Sequence, residues 1–119
     1  MSTRITVAII GDLANVRFND KKIVDSANIE EMGSELIALV AEQKHKHVLL
    51  NFEGVEFMSS AALNKLINLD KKVKAVGGVL RLCSLKADIR EVFTITRLDR
   101  VFDIRDTESA ALKAFGVPG

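Results

Sequence analysis

Tryptophan and tyrosine are absent from this 119-residue chain, cysteine and proline each occur once, and neither sign of charge prevails. The lone cysteine, Cys83, excludes an internal disulfide. With no Trp or Tyr, a net charge of +1 and a pI near 7.9, the chain lacks the basic, aromatic-studded surface that nucleic acids bind, so no nucleic-acid partner is expected. No apolar run approaches the roughly 20 residues of a membrane span. The start Met1-Ser2-Thr3-Arg4 also lacks the apolar stretch of a secretory signal. No direct membrane span and a cytoplasmic location are therefore expected. What is present is 48% hydrophobic and 28% charged residues, a globular composition. The length fits one domain, residues 1–119, able to bury a core without disulfide or metal staples.

The hydrophobic period alternates along the chain between two and about 3.6. Ile5, Val7 and Ile9, then Val16 and Phe18 across Gly11-Asp12, predict an N-terminal hairpin. Ile29, Met32, Leu36, Leu39 and Val40 predict a helix from Asn28 to Gln43, opened by an Asn28/Glu31 capping box. After the Lys44-His45-Lys46-His47 connection, Val48 to Phe52 is a nearly continuous apolar run, expected of a strand covered on both faces. Ser59 or Ser60 opens a second helix with Ala62, Leu66, Leu69, Val73 and Val76 inward, ended by Gly77-Gly78. Val79 to Cys83 is the next strand. A third helix turns Leu85, Ile89, Val92 and Phe93 inward, a short strand spans Val101 to Ile104, and Asp106 or Thr107 caps a last helix. Pro118-Gly119 reads as a frayed end. The expected architecture is α/β: one mixed, mainly parallel sheet of about five strands with about four helices packed on it.

Most candidate chemistry reduces to structure. His45 and His47 lie in a Lys-rich loop with no Cys, Asp or Glu at ligand spacing, so no metal site is expected. Cys83, between leucines on a strand, reads as a small buried hydrophobe rather than a nucleophile. Gly77-Gly78 leaves a helix and enters a strand, the reverse of a phosphate loop. Lys71, Lys72 and Lys74 form a solvated helix surface. Glu53 and Glu56 have no histidine or second acid at a spacing that defines a mechanism, so no catalytic residue and no cofactor is expected.

The serine pair is different. One of Ser59 and Ser60 can cap the helix, its oxygen accepting a first-turn N–H. The other can present its hydroxyl outward. A phosphate there adds roughly −1.5 to −2 charges, which a helix N-terminus tolerates or favours by roughly 0.3–1 kcal/mol. In a close interface around Met58, Ala61 and Leu63, beside Glu53 and Glu56, the same charge would expel a partner.

The order of elements and the segment Phe57-Met58-Ser59-Ser60-Ala61-Ala62-Leu63 resemble the STAS domain, above all the bacterial anti-sigma factor antagonists, over essentially the whole chain. The resemblance implies a non-enzymatic binding module. Dephosphorylated, it would bind an anti-sigma factor that is also a serine kinase and so free a sigma factor; phosphorylated, it would let go, and a serine phosphatase would reset it. Aligning Phe57-Met58 places Ser60 on the family's phosphoacceptor and Asp25 where an acid often lies near it. Ser59 stands where the family usually has Asp, which makes Ser59 the alternative acceptor, and Ala62 stands where it usually has Gly. The implied docking face is Asp25, Met58, Ser59, Ser60, Ala61, Leu63 and Asn64. A STAS module that is never phosphorylated, serving as a scaffold in a stress-signalling complex or as a lipid-transporter subunit, is the alternative; a small-molecule enzyme ranks third.

Overall fold

Gly11 and Asp12 reverse the chain, Gly11 at φ +59°, and the flanking residues pair in antiparallel register from Ile5 against Phe18 to Ile10 against Leu13. The computed structural model describes residues 4–117, so Pro118-Gly119 lies outside the described residues. Its strands are β1 (Ile5–Ile10), β2 (Leu13–Phe18), β3 (Lys22–Ile23), β4 (His47–Asn51), β5 (Phe57–Met58), β6 (Val79–Cys83) and β7 (Asp103–Arg105). Its helices are α1 (Ser26–Ala41), α2 (Ser60–Ala75), α3 (Ala87–Ile95) and α4 (Glu108–Ala114), with a 3-10 turn at Leu98–Arg100. Five strands form one sheet in the order β1-β2-β4-β6-β7, antiparallel only between β1 and β2. The mixed, mainly parallel sheet and four helices expected above are present.

Side chains alternate across the sheet and divide it into two unequal faces. Val16, Val48, Leu50, Leu80 and Leu82 turn toward α1, α2 and α3, where they meet Leu36, Leu39, Leu66, Leu69, Ile89 and Phe93 in the main core. Each fully buried aliphatic or aromatic side chain there contributes roughly 1.5–3 kcal/mol. The opposite face carries Leu13, Leu49 and Cys83, covered by Ala111 and Leu112 of α4 and by Phe115 and Val117 just after it. Two-sided cover explains why Val48 to Phe52 reads as a nearly continuous apolar run, interrupted only at Asn51; these residues are all fully buried or nearly so.

The turn after α2 depends on both glycines. Gly78 N–H reaches Val73 O at 2.9 Å and Gly77 N–H reaches Lys74 O at 3.0 Å, a Schellman closure with Gly77 at φ +73°. A Cβ on Gly78 would sit 2.0 Å from the Lys46 carbonyl oxygen, so the chain passes there too closely for any side chain.

Several boundaries differ from expectation. The first helix begins at Ser26, not Asn28: Asp25 is extended (φ −73°, ψ 128°) and its carboxylate accepts the Asn28 N–H at 3.1 Å, displacing the Asn28/Glu31 box. Thr107 caps α4, its hydroxyl accepting the Ala110 N–H at 3.1 Å. The last strand starts at Asp103, because Arg97 in the left-handed region (φ 62°) opens the 3-10 turn and leaves Phe102 as a core anchor. Val76 and Val92, expected inside, are exposed: Val76 is the cap residue after α2, and Val92 lies on the outer flank of the Ile89–Phe93 stripe. His47 is not in the loop but begins β4, its ring 5.8 Å from that of Phe115.

Candidate functional site

The strands β3 and β5 are two residues each, too short for any periodicity to announce them, yet they set the site. They pair in parallel, Lys22 against Phe57 and Ile23 against Met58, as a ribbon separate from the main sheet. Ser59 N–H then donates to Ile23 O at 3.1 Å, and Glu56 N–H to Lys21 O at 2.7 Å. Because both strands run directly into helices, α1 and α2 start side by side. Asp25 caps one and Ser59 the other.

Ser59, half-buried, has extended dihedrals (φ −80°, ψ 167°), and its hydroxyl accepts the Ala62 N–H at 3.4 Å while its carbonyl accepts the Leu63 N–H at 3.1 Å. The capping role is therefore Ser59's. Ser60 is the first helical residue and is exposed, with no side-chain hydrogen bond among the described residues. Neither helix carries an acid in its first turn. Two helix N-termini, each equivalent to about half a positive charge, thus start side by side at this junction, with the Asp25 carboxylate capping α1 and Ser60 in the first turn of α2.

The loop leading to this junction is tied at several points. Asn51, 3% exposed, accepts the Glu53 N–H at 2.9 Å and donates to Glu108 at 3.0 Å. Arg17 bridges Glu53 at 3.0 Å and Glu108 at 3.3 Å, Asn15 donates to Glu108 at 3.2 Å, and Lys86 Nζ reaches the Glu53 carbonyl at 3.3 Å. Partial burial pushes the Glu108 carboxyl up, but donors from Asn51, Asn15 and Arg17 outweigh it and hold it below the usual carboxylate range. Such a network rigidifies the segment it spans. Cys83 lies beneath it, its thiol pushed up by burial, which leaves it protonated and unreactive.

The structure brings the sequence-derived docking residues together unequally. Asp25, Ser60, Ala61 and Asn64 are exposed, whereas Met58 and Leu63 are only 7% and 8% exposed and belong chiefly to the core. Phe57, more than half exposed, was not among them, nor were Glu56 and Val92, which face the same side as the outer edges of Met58 and Leu63. The alternation Phe57-out, Met58-in is the signal, confined to two residues.

The mainly parallel sheet thus carries, at one end, two helix N-termini side by side and an exposed serine on the first turn of one of them. The STAS domain model matches residues 5–111, and the chain belongs to the STAS domain family. Its fold is that of the anti-sigma factor antagonists. The chain is 36% identical over 93 residues to BtrV of Bordetella bronchiseptica, named as an anti-sigma factor antagonist, covering 78% of this chain and 79% of that one. An anti-sigma factor antagonist (STAS) domain protein from Planctomyces limnophilus superposes with a TM-score of 0.80 at 27% identity, covering 92% and 95% of the two chains. The Bacillus cell fate determinant SpoIIAA in its phosphorylated form shares the fold, with a TM-score of 0.73 at 18% identity over 93% and 98%. No described helix is long and apolar enough to cross a membrane.

Proposed function

We propose that this chain, as one STAS domain over residues 1–119, is a phosphorylation-switched anti-sigma factor antagonist of the cytoplasm. Dephosphorylated, it binds an anti-sigma factor that is also a serine kinase, and so releases a sigma factor. That kinase transfers the γ-phosphoryl group of ATP to Ser60, the complex dissociates, and a serine phosphatase restores the hydroxyl. The observation that carries this reading is the division of labour between the serines: Ser59 is spent on the cap, leaving Ser60 exposed on a rigid first turn. The paired helix N-termini support the carriage of a phosphate without unfolding. The resulting dianion would stand on the docking face of Asp25, Ser59, Ala61 and Asn64, where close contact with a partner would desolvate it.

The test is incubation with the cognate anti-sigma kinase and ATP, followed by mass-spectrometric mapping in wild type, Ser60→Ala and Ser59→Ala. Phosphate on Ser60, lost only in Ser60→Ala, is the expected result. Phosphate retained in Ser60→Ala and lost in Ser59→Ala would move the acceptor. An unmodified wild type beside a demonstrably active kinase would overturn the switch in favour of a permanent scaffold.

A further inference from the structure

Immediately beside the serine junction, α3 and β5 enclose a groove of about 190 Å³ lined by Glu56, Phe57, Met58, Leu63, Asp88, Ile89, Val92 and Phe93. Its floor is the outer edge of the core: Met58, Leu63, Ile89 and Phe93 are each less than a tenth exposed. Its walls are apolar side chains left in water, Phe57 at 54% and Val92 at 39%, with Ile95, 72% exposed, one turn beyond Val92 on the same helix. Phe57 and Val92 line the same groove, and exposed apolar side chains grouped in this way mark a protein contact.

The charged side chains that line the groove have one sign. The two ionisable residues that line it, Glu56 and Asp88, are both acidic, and Glu91 follows on the exposed side of α3. The nearby cations of this element are turned to other partners: Lys86 reaches the Glu53 carbonyl at 3.3 Å and Arg90 the Asp106 carboxylate at 3.1 Å. Lys22, exposed on the neighbouring strand β3 in register with Phe57, and Lys21 before it do not line the groove. An apolar trough with an acidic rim fits an amphipathic segment whose apolar residues are flanked by Lys or Arg.

We infer that the groove between β5 and α3 is a second docking subsite, which takes an apolar, basic-flanked helix of the same anti-sigma kinase that contacts Ser60. The inference rests on the proposed switch, because it assigns that partner to the groove. Leu63 lies one helical turn from Ser60, so a segment seated on Leu63 and Phe57 comes within a turn of the phosphoacceptor. Contact there would add affinity to the serine face and orient the acceptor hydroxyl toward the kinase.

The experiment measures the affinity of the unphosphorylated protein for the purified cognate kinase by calorimetry. Wild type is compared with Val92→Glu, with the pair Glu56→Lys/Asp88→Lys, and with Ser60→Asp; circular dichroism and melting verify that each variant is folded. Weakening by roughly tenfold or more in both groove variants, as loss of a central contact produces, supports the subsite. A salt dependence shallower in Glu56→Lys/Asp88→Lys than in wild type supports the charge argument. Full wild-type affinity in both groove variants, with Ser60→Asp still abolishing binding, overturns the groove and leaves the switch standing. Failure of the wild type itself to bind overturns both. A concentration-dependent dimer that Val92→Glu dissociates would assign the groove to a second copy of the chain and overturn the inference.

Discussion

Ser59 donates its backbone N–H to the carbonyl of Ile23 at 3.1 Å, and this bond places the start of α2 beside the start of α1. It continues the parallel β3–β5 register by one residue, so the cap of α1, Asp25, and the cap of α2, Ser59, follow from the same ribbon. Ser60 inherits its position from that arrangement, and its chemistry can be separated from that of Ser59.

Ser59→Ala removes the side-chain cap and should destabilise the protein by about 0.5–2 kcal/mol. The 3.4 Å length of its bond to the Ala62 N–H argues for the lower half of that range. Ser60→Ala, which removes no such bond, should stay within about 0.5 kcal/mol of wild type. Urea unfolding of the two variants checks the order; equal losses would mean that the cap is shared.

Ser60→Asp places a carboxylate at the first helical position, where the dipole favours it by about 0.3–1 kcal/mol at low salt. Its melting temperature should therefore equal or exceed that of wild type while kinase binding is lost. A lowered melting temperature would show that negative charge at Ser60 acts by unfolding α2 rather than by blocking the interface.

Gly78→Ala forces a Cβ toward the Lys46 carbonyl oxygen, and such overpacking costs typically 1–3 kcal/mol or more. Gly77→Ala keeps the space but must hold a left-handed backbone at φ +73°, at a cost of about 1–2 kcal/mol. Chemical denaturation should rank Gly78→Ala as the more damaging. The reverse order would show that the connection into β6 yields more easily than the helix end.

Two carboxyls on the α4 face of the sheet are held below their usual range: Asp103 by hydrogen bonds from Arg105 and Arg81, and Glu108 by the donors from Asn51, Asn15 and Arg17 that outweigh its burial. A group whose pKa is lower when folded binds fewer protons folded than unfolded, so stability rises with pH through its titration. The contribution is present above the unfolded carboxyl pKa and is lost as pH falls through the lowered folded value. Unfolding free energy measured from neutral pH down to about pH 2 should drop on the acid side. In Glu108→Gln and Asp103→Asn that drop should be shallower; an acid limb identical to wild type in both would place the titrating groups elsewhere.

Much of this protein was legible in the order of its residues. Long amphipathic runs such as Ile29 to Val40 and Leu66 to Val73 revealed their helices, because one face of each must leave water. The nearly continuous apolar run Val48 to Phe52 revealed a strand covered on both sides. Phe57-Met58 gave no strand signal, since two residues cannot display a period, and Val92 looked inward because an exposed valine at helical spacing reads like a buried one. Asn28 with Glu31 looked like the cap of the first helix, and the structure gives that role to Asp25, where the chain enters from β3.

By itself the sequence determined the alternation of strand and helix, the covered central strands, the glycine turn before β6 and the presence of two serines at a helix start. Those features rest on local periodicity and capping chemistry, which act over one or two turns. Only the tertiary structure decided which serine caps and which faces water. It also set α1 and α2 with their N-termini together, turned Met58 and Leu63 mostly into the core, and left Phe57 and Val92 outside it. The reason is that these outcomes depend on the pairing of Ile23 with Met58 and on the packing of α3 against β5. Such contacts join residues far apart in the chain, and their register is settled only when the whole core is buried.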